Sequence, residues 1–151
     1  YQQLGFRNLR TLDCYRGQKK ANQNVSGLEL RKLPLAAIES LAQQVDWPPT
    51  WQNDLRAVAQ QVEHHFSVGA FIEEQLGAFL VGRLEKNRVL QFFVLPHLRR
   101  RGIGTALFGQ MSGSTPLALI NVDQSDQAVA AFLKHLGLSV FLQQYEMECS
   151  L

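Results

Sequence analysis

The chain has 151 residues, 46% of them hydrophobic and 19% charged, with a formal net charge of +2. That length holds one domain burying roughly 68–70% of its unfolded-chain surface, and so small a positive excess is not that of a general nucleic-acid binder. Two cysteines make neither a disulfide framework nor a metal site, and neither a membrane-length apolar run nor a signal peptide is present. A soluble chain in the reducing cytoplasm is therefore expected.

The sequence opens at Tyr1 without a methionine, which reads as a fragment or a processed product. Leu4-Gly5-Phe6 aligns with Leu136-Gly137-Leu138, each an apolar helix end, a glycine and the start of a strand. Residues 1–16 then read as the last helix end and last strand of a preceding domain, with chance similarity of a short tag as the alternative. Such a strand, over 7–15, must satisfy its backbone at a sheet edge or against another chain, in a tandem-domain contact or a homodimer. Gly17 to Ser26 is polar and reads as a linker, leaving 27–151 as the domain proper.

Leu28 to Leu33 alternates apolar and polar, so a first strand is expected there. Pro34 suits a helix start, and Leu35, Ile38, Leu41 and Val45 share one helical face. The segment Asp46-Trp47-Pro48-Pro49 breaks that helix. Thr50 is the candidate N-cap of a second helix through His64, with Leu55, Val58 and Val62 inward. Phe66–Ile72 and Leu76–Leu84 read as a hairpin around Glu73-Glu74-Gln75, and a Lys86-Asn87 turn leads to a strand over Val89–Leu95. A helix over Ile103–Met111, a loop from Gly113 to Pro116 and a buried strand over Leu117–Val122 follow. Ser125 or Asp126 caps a helix running to His135 and stopped by Gly137, and strand structure covers Ser139 to Glu148.

The densest signal runs from Val89 to Met111: an apolar strand, Pro96, then Arg99-Arg100-Arg101, Gly102, Ile103, Gly104 and an amphipathic helix. The glycines permit a tight turn and close approach of a ligand to the backbone. The helix start presents unpaired N–H groups that favour an anion, and the arginines add fork-shaped donors. This is the make-up of a phosphate-binding turn. It is neither a Walker loop nor a dinucleotide fingerprint, because no Gly-Lys-Ser/Thr follows and Leu107 stands where a third glycine would fall.

Val94-Leu95-Pro96-His97-Leu98-Arg99-Arg100-Arg101-Gly102-Ile103-Gly104-Thr105 resembles the acetyl-coenzyme A motif of the GNAT superfamily of N-acetyltransferases, with Arg99, Gly102 and Gly104 in its three fixed places. The element order β-α-α-β-β-β-α-β-α-β over 27–151 is similar to the GNAT order. The resemblance implies an α/β fold, a mixed sheet flanked by helices and splayed between the domain's fourth and fifth strands, with acetyl-CoA entering the splay and no metal. It implies cofactor contacts from Phe93, Val94, Leu95, Arg99, Arg100, Arg101, Gly102, Ile103, Gly104 and Thr105, with Asn121 and Asp126 near the splay. The Val94 backbone N–H takes the place of the donor that meets the thioester oxygen, and residues 1–16 become the remnant of a preceding GNAT domain.

The family's phenol, four residues before the glycine that ends the last helix, is replaced here by Leu133, whereas Tyr1 keeps that spacing to Gly5. Tyr145 on the final strand is the candidate substitute acid, with packing as its competing role. The resemblance places the acceptor amine at the loop between the first two helices, where Trp47, Trp51 and Asn53 are the substrate candidates. The two tryptophans form either an apolar wall or a staple of helix to sheet. Glu39, Asp46 and Asp54 are carboxylates near that loop, and His64-His65 reads as exposed surface. The expected activity is acetyl transfer to a primary amine of a small molecule or peptide. The alternative is a non-catalytic acetyl-CoA-binding or interaction domain. Nucleic acid and membrane are not expected partners, since no exposed aromatics interleave the arginines.

Overall fold

Five antiparallel strand pairings and one parallel contact organise the described residues. A computed structural model describes residues 2–20, 24–61, 65–111 and 115–149. Its strands are β1 (Phe6–Gly17), β2 (Leu28–Lys32), β3 (Phe66–Ile72), β4 (Gln75–Arg83), β5 (Arg88–Val94), β6 (Leu117–Asp123) and β7 (Ser139–Cys149). The helices are α1 (Leu35–Ala42), α2 (Leu55–Ala59), α3 (Ile103–Phe108) and α4 (Gln127–His135). The seven strands form one mixed sheet in the order β2-β3-β4-β5-β6-β1-β7.

Alternation along the strands feeds two apolar layers. Phe79 and Val81 of β4, with Leu90 and Phe93 of β5, pack beneath Ile38 and Leu41 of α1 and Val58 of α2. On the opposite face Ala78, Leu80 and Val89 meet Leu107 and Phe108 of α3 and Leu133 and Leu136 around α4. Each large side chain buried this way contributes about 1.5–3 kcal/mol.

The β3–β4 hairpin closes through Glu73 and Glu74, both at positive φ (51° and 66°), with Ile72 opposite Gln75. Two successive left-handed residues make the turn whose twist suits a two-residue hairpin. The second helix differs from expectation. Asp54, not Thr50, is its N-cap, accepting from Arg56 N at 2.8 Å, and the helix is only five residues long. Val62 and His64 lie outside the described residues, as do Tyr1, 21–23 of the linker and 112–114 of the later loop.

β5 and β6 are the parallel pair, and they pair only at Arg88–Ala118 and Val89–Leu119. Beyond Val89 the two strands separate. On the far side of β6, β1 runs antiparallel to both β6 and β7. Residues 7–15 are therefore a strand, and they complete the sheet of their own chain from within, with Leu12, Cys14 and Tyr15 buried.

Candidate cofactor and acceptor cleft

The gap between β5 and β6 is lined by backbone donors. Leu95 N–H donates to the Gly77 carbonyl at 2.9 Å. Residues 95 and 93 are thus the hydrogen-bonded positions of the β4–β5 ladder, and Val94 (opposite Ala78) and Phe92 (opposite Leu80) are the alternate ones. The N–H groups of Phe92 and Val94 consequently face away from β4, into the gap. Phe92 packs on the α3–α4 side against Phe108 and Phe132, at centroid distances of 4.9 and 5.6 Å. Phe93 is buried on the other side near Phe79.

At the end of β5 the chain makes the basic turn. Arg99 folds back: its Nε donates to the Val94 carbonyl at 2.8 Å and its Nη2 to Asp46 at 2.6 Å, with the guanidinium over the Phe93 ring. That side chain ties the strand end to the α1–α2 loop instead of projecting outward. Arg100 and Arg101 are exposed and form no ion pair among the described residues. Arg100 and Gly102 have φ of 62° and 82°, so the turn coils tightly before α3, whose first amides, Ile103, Gly104 and Thr105, have no acceptor within the helix. Gly104 also has a packing role. A Cβ there would stand 2.9 Å from Cζ of Phe132, so its bareness lets α4 pack on α3.

The α1–α2 loop crosses the gap. Asn53 Nδ2 donates to the Ile120 carbonyl at 3.1 Å, and Gln91 Nε2 donates to the Asn53 carbonyl. Asn121 sits at an irregularity of β6 with φ of 62°, and its Nδ2 reaches Thr50 Oγ1 (3.3 Å) and Gln52 Oε1 (3.2 Å). Asn53 and Asn121 are both buried, and the Oδ1 of each has no partner among the described residues. A buried acceptor left unpaired costs about 1–3 kcal/mol, so each marks a place where a donor is wanted. Trp47 Nε1 donates to Asp126 Oδ2 at 3.0 Å, while Asp126 Oδ1 caps α4 through Val129 N at 3.0 Å. Between these groups lies a cavity of about 50 Å³ whose lining includes Trp47, Asn53, Gln91, Phe93, Asp126 and Val129.

Behind Trp47 stands an ionic cluster. Arg10 of β1 lies 5.9 Å from the Trp47 ring centroid and bridges Glu146 (2.5 Å) and Asp123 (3.3 Å). Burial disfavours the charge on Arg10, but Glu146 and then Asp123 outweigh it and hold the guanidinium more firmly protonated than usual. Burial likewise opposes ionisation of Asp123. Hydrogen bonds from Ser125 and from Arg10 overcome it and keep that carboxyl below the ordinary carboxylate range.

The structure thus brings Trp47, Asn53, Phe93, Val94, Asn121 and Asp126 to the gap, with the 99–105 turn at its end. It does not bring Tyr145, and Trp51 is not among the residues lining the cavity. Trp51 is 76% exposed, and Tyr145 is 60% exposed on β7, two strands away from β6 across β1. Of the two tryptophans, Trp47 lines the cavity. Leu133 is wholly buried in the α3–α4 layer. His64 of the His64-His65 pair lies outside the described residues. Sequence reading placed Thr50 and Gln52 in the acceptor loop without a polar role there, and it missed Gln91. Gln91 alone left a signal, a polar residue inside the apolar run Val89–Val94.

No protein-family model matches the sequence, and neither does any curated protein. Among solved structures, a Drosophila protein superposes with a TM-score of 0.72 at 19% identity, over 96% of this chain and 52% of its own. A conserved protein of unknown function from Staphylococcus epidermidis gives 0.70 at 18%, over 97% and 63%. A GCN5-related N-acetyltransferase from Sphaerobacter thermophilus gives 0.63 at 18%, over 97% and 53%. The chain spans about half to two thirds of the length of these proteins. It has the fold of the GCN5-related N-acetyltransferases.

Proposed function

We propose that the chain binds acetyl-CoA in the β5–β6 gap and transfers acetyl to a primary amine of a small molecule or peptide. The observation that carries this reading is the gap itself: strand amides at Phe92 and Val94 facing an opening that ends at a glycine turn flanked by unpaired Arg100 and Arg101. Bound there, acetyl-CoA would supply a thioester-activated acetyl group. Arg100, Arg101 and the amides from Arg99 to Thr105 suit its diphosphate, by charge and by donors that need no side-chain reach. The Val94 N–H, which faces the gap, is a donor suited to a carbonyl oxygen that gains charge. The unpaired Asn53 Oδ1, beside the cavity, suits an N–H of the amine. Leu95, in contact with Gly77, and Asp126, with both oxygens already engaged, support the walls.

Calorimetric titration with coenzyme A and a thiol-release assay over an amine panel test the reading. Val94→Pro deletes the N–H that faces the gap without removing a β4–β5 ladder bond. It should lower turnover about 10²–10³-fold while coenzyme A affinity changes little. Charge reversal of both Arg100 and Arg101 should instead abolish binding. If the wild-type chain shows no affinity for coenzyme A, the proposal fails.

The buried Leu133, in the place where the resemblance implies a phenol, favours a second reading, a domain that binds acetyl-CoA without turning it over. Affinity for coenzyme A combined with no thiol release for any amine would select it.

A further inference from the structure

The first and last strands are built alike. β1 follows Gly5 and β7 follows Gly137, and both glycines are left-handed, with φ of 83° and 98°. Four residues beyond each glycine stands a large exposed side chain, Leu9 (52%) and Phe141 (45%). At each the ladder slips. The β1–β7 register jumps over Leu9 between Asn8 and Arg10, and on the other strand over Phe141 between Val140 and Leu142. Seven residues beyond each glycine are Leu12 and Gln144, and these two are partners across the ladder. Glycine, bulge and ladder centre all exchange under one local two-fold axis at Leu12–Gln144. A ladder does not require bulges, so two at matched offsets are a shared design and not a consequence of pairing.

The symmetry stops outside this strand pair. On its far side β1 meets β6, with Leu12 opposite Asp123, Tyr15 opposite Leu119 and Gly17 opposite Leu117. On its far side β7 meets no strand among the described residues and is the edge of the sheet. That edge carries no proline or lysine, and Val140, Phe141, Leu142, Tyr145 and Met147 are exposed along it. A long apolar edge of this kind invites strand addition.

We propose that β1 is the last strand of a second unit of this same fold, and that this unit's counterpart of β6 lies along the outer edge of β7. The two sheets then run into one through the Leu12–Gln144 axis. Applying the axis to the β1–β6 register fixes the contact: Gln144, Met147 and Cys149 face the incoming strand as Leu12, Tyr15 and Gly17 face β6. The incoming strand is antiparallel and apolar like β6, and it covers 144–149 while leaving 139–143 open. A second copy of this chain offers no such strand, because its β6 is held between β5 and β1. Copies could meet only edge to edge, through β7 or through β2 at the other end of the sheet. The inference rests on backbone geometry alone and stands or falls apart from the acetyl-transfer reading.

Hydrogen exchange read by mass spectrometry tests it, comparing the intact gene product with the 151-residue chain. Among the β7 amides that do not face β1, those within 144–149 should exchange at least about tenfold more slowly in the intact product, while those within 139–143 exchange fast in both. Met147→Glu, on the exposed edge, should remove that protection in the intact product and leave the circular dichroism of the 151-residue chain unchanged. Fast exchange at 144–149 in both proteins overturns the proposal, as does protection that survives Met147→Glu. So does an intact product no longer than 151 residues, or concentration-dependent protection anywhere in 139–149, which marks edge-to-edge pairing of copies.

Discussion

Asp123 shows how single side chains hold the cleft from behind. Its carboxylate accepts from Ser125 N (2.9 Å), Ser125 Oγ (2.7 Å) and Arg10 (3.3 Å), and Arg10 in turn lies beside Trp47. Because its pKa is depressed in the folded state, the stabilisation is present above the unfolded value of about 3.9 and is lost as pH falls through the folded one. Asp123→Asn should therefore cost stability at pH 6, on the scale of about 1.5–3 kcal/mol for hydrogen bonds to a charged group. The variant should then lose less than the wild type between pH 5 and 3, so the two denaturation midpoints converge. Parallel curves across that range would show that Asp123 does not titrate out of a favourable site. The same cluster marks a limit of sequence reading. Arg10, Asp123 and Glu146 are ordinary charged residues on three separate strands, and only the insertion of β1 beside β6 brings them together.

Elements were legible where local chemistry decided them and illegible where tertiary hydrogen bonds did. The strand–turn–helix from Arg88 to Phe108 could be read because each step carries its own signal: an apolar run, then positive-φ positions, then a helical stripe. The α2 start could not. Thr50 and Asp54 are both good capping types, but Asn53 is drawn to the Ile120 carbonyl, and Thr50 and Gln52 to Asn121, so the chain turns helical only after Asn53. Gly104 belongs with the motif in sequence, yet its closest neighbour in space is Phe132, 28 positions on. Gly104→Ala would gain about 1 kcal/mol of helix propensity against about 1–3 kcal/mol of overpacking. The ring is hemmed in by Phe92 and Phe108, at 5.6 and 5.5 Å, so overpacking should win. Thermal melts should place Gly104→Ala a few degrees below wild type, and in a Phe132→Leu background the same change should become neutral or stabilising. Equal losses in both backgrounds would remove Phe132 as the reason for the glycine.

For the whole molecule, the cleft is nearly shut. A cavity of about 50 Å³ holds a group of acetyl size but not an extended pantetheine arm, and the α1–α2 loop lies across the gap. Entry of acetyl-CoA between β5 and β6 by way of the α1–α2 loop would lengthen or break the Asn53–Ile120 and Trp47–Asp126 hydrogen bonds and draw the Trp47 indole from its seat beside Arg10. The chain has two tryptophans, and Trp51 is already exposed, so Trp51→Phe leaves Trp47 as a lone reporter. In that variant, saturation with coenzyme A should shift Trp47 emission to longer wavelength as the ring meets water. Association should be limited by movement of the loop, which has to come first. Asn53→Ala, which removes one strut, should speed association while weakening any amine contact that Asn53 makes. Saturation by coenzyme A with unchanged Trp47 emission would mean that the ligand bypasses the loop, and the gap would then have to be opened from the α3–α4 side, where Phe92, Phe108 and Phe132 now fill it.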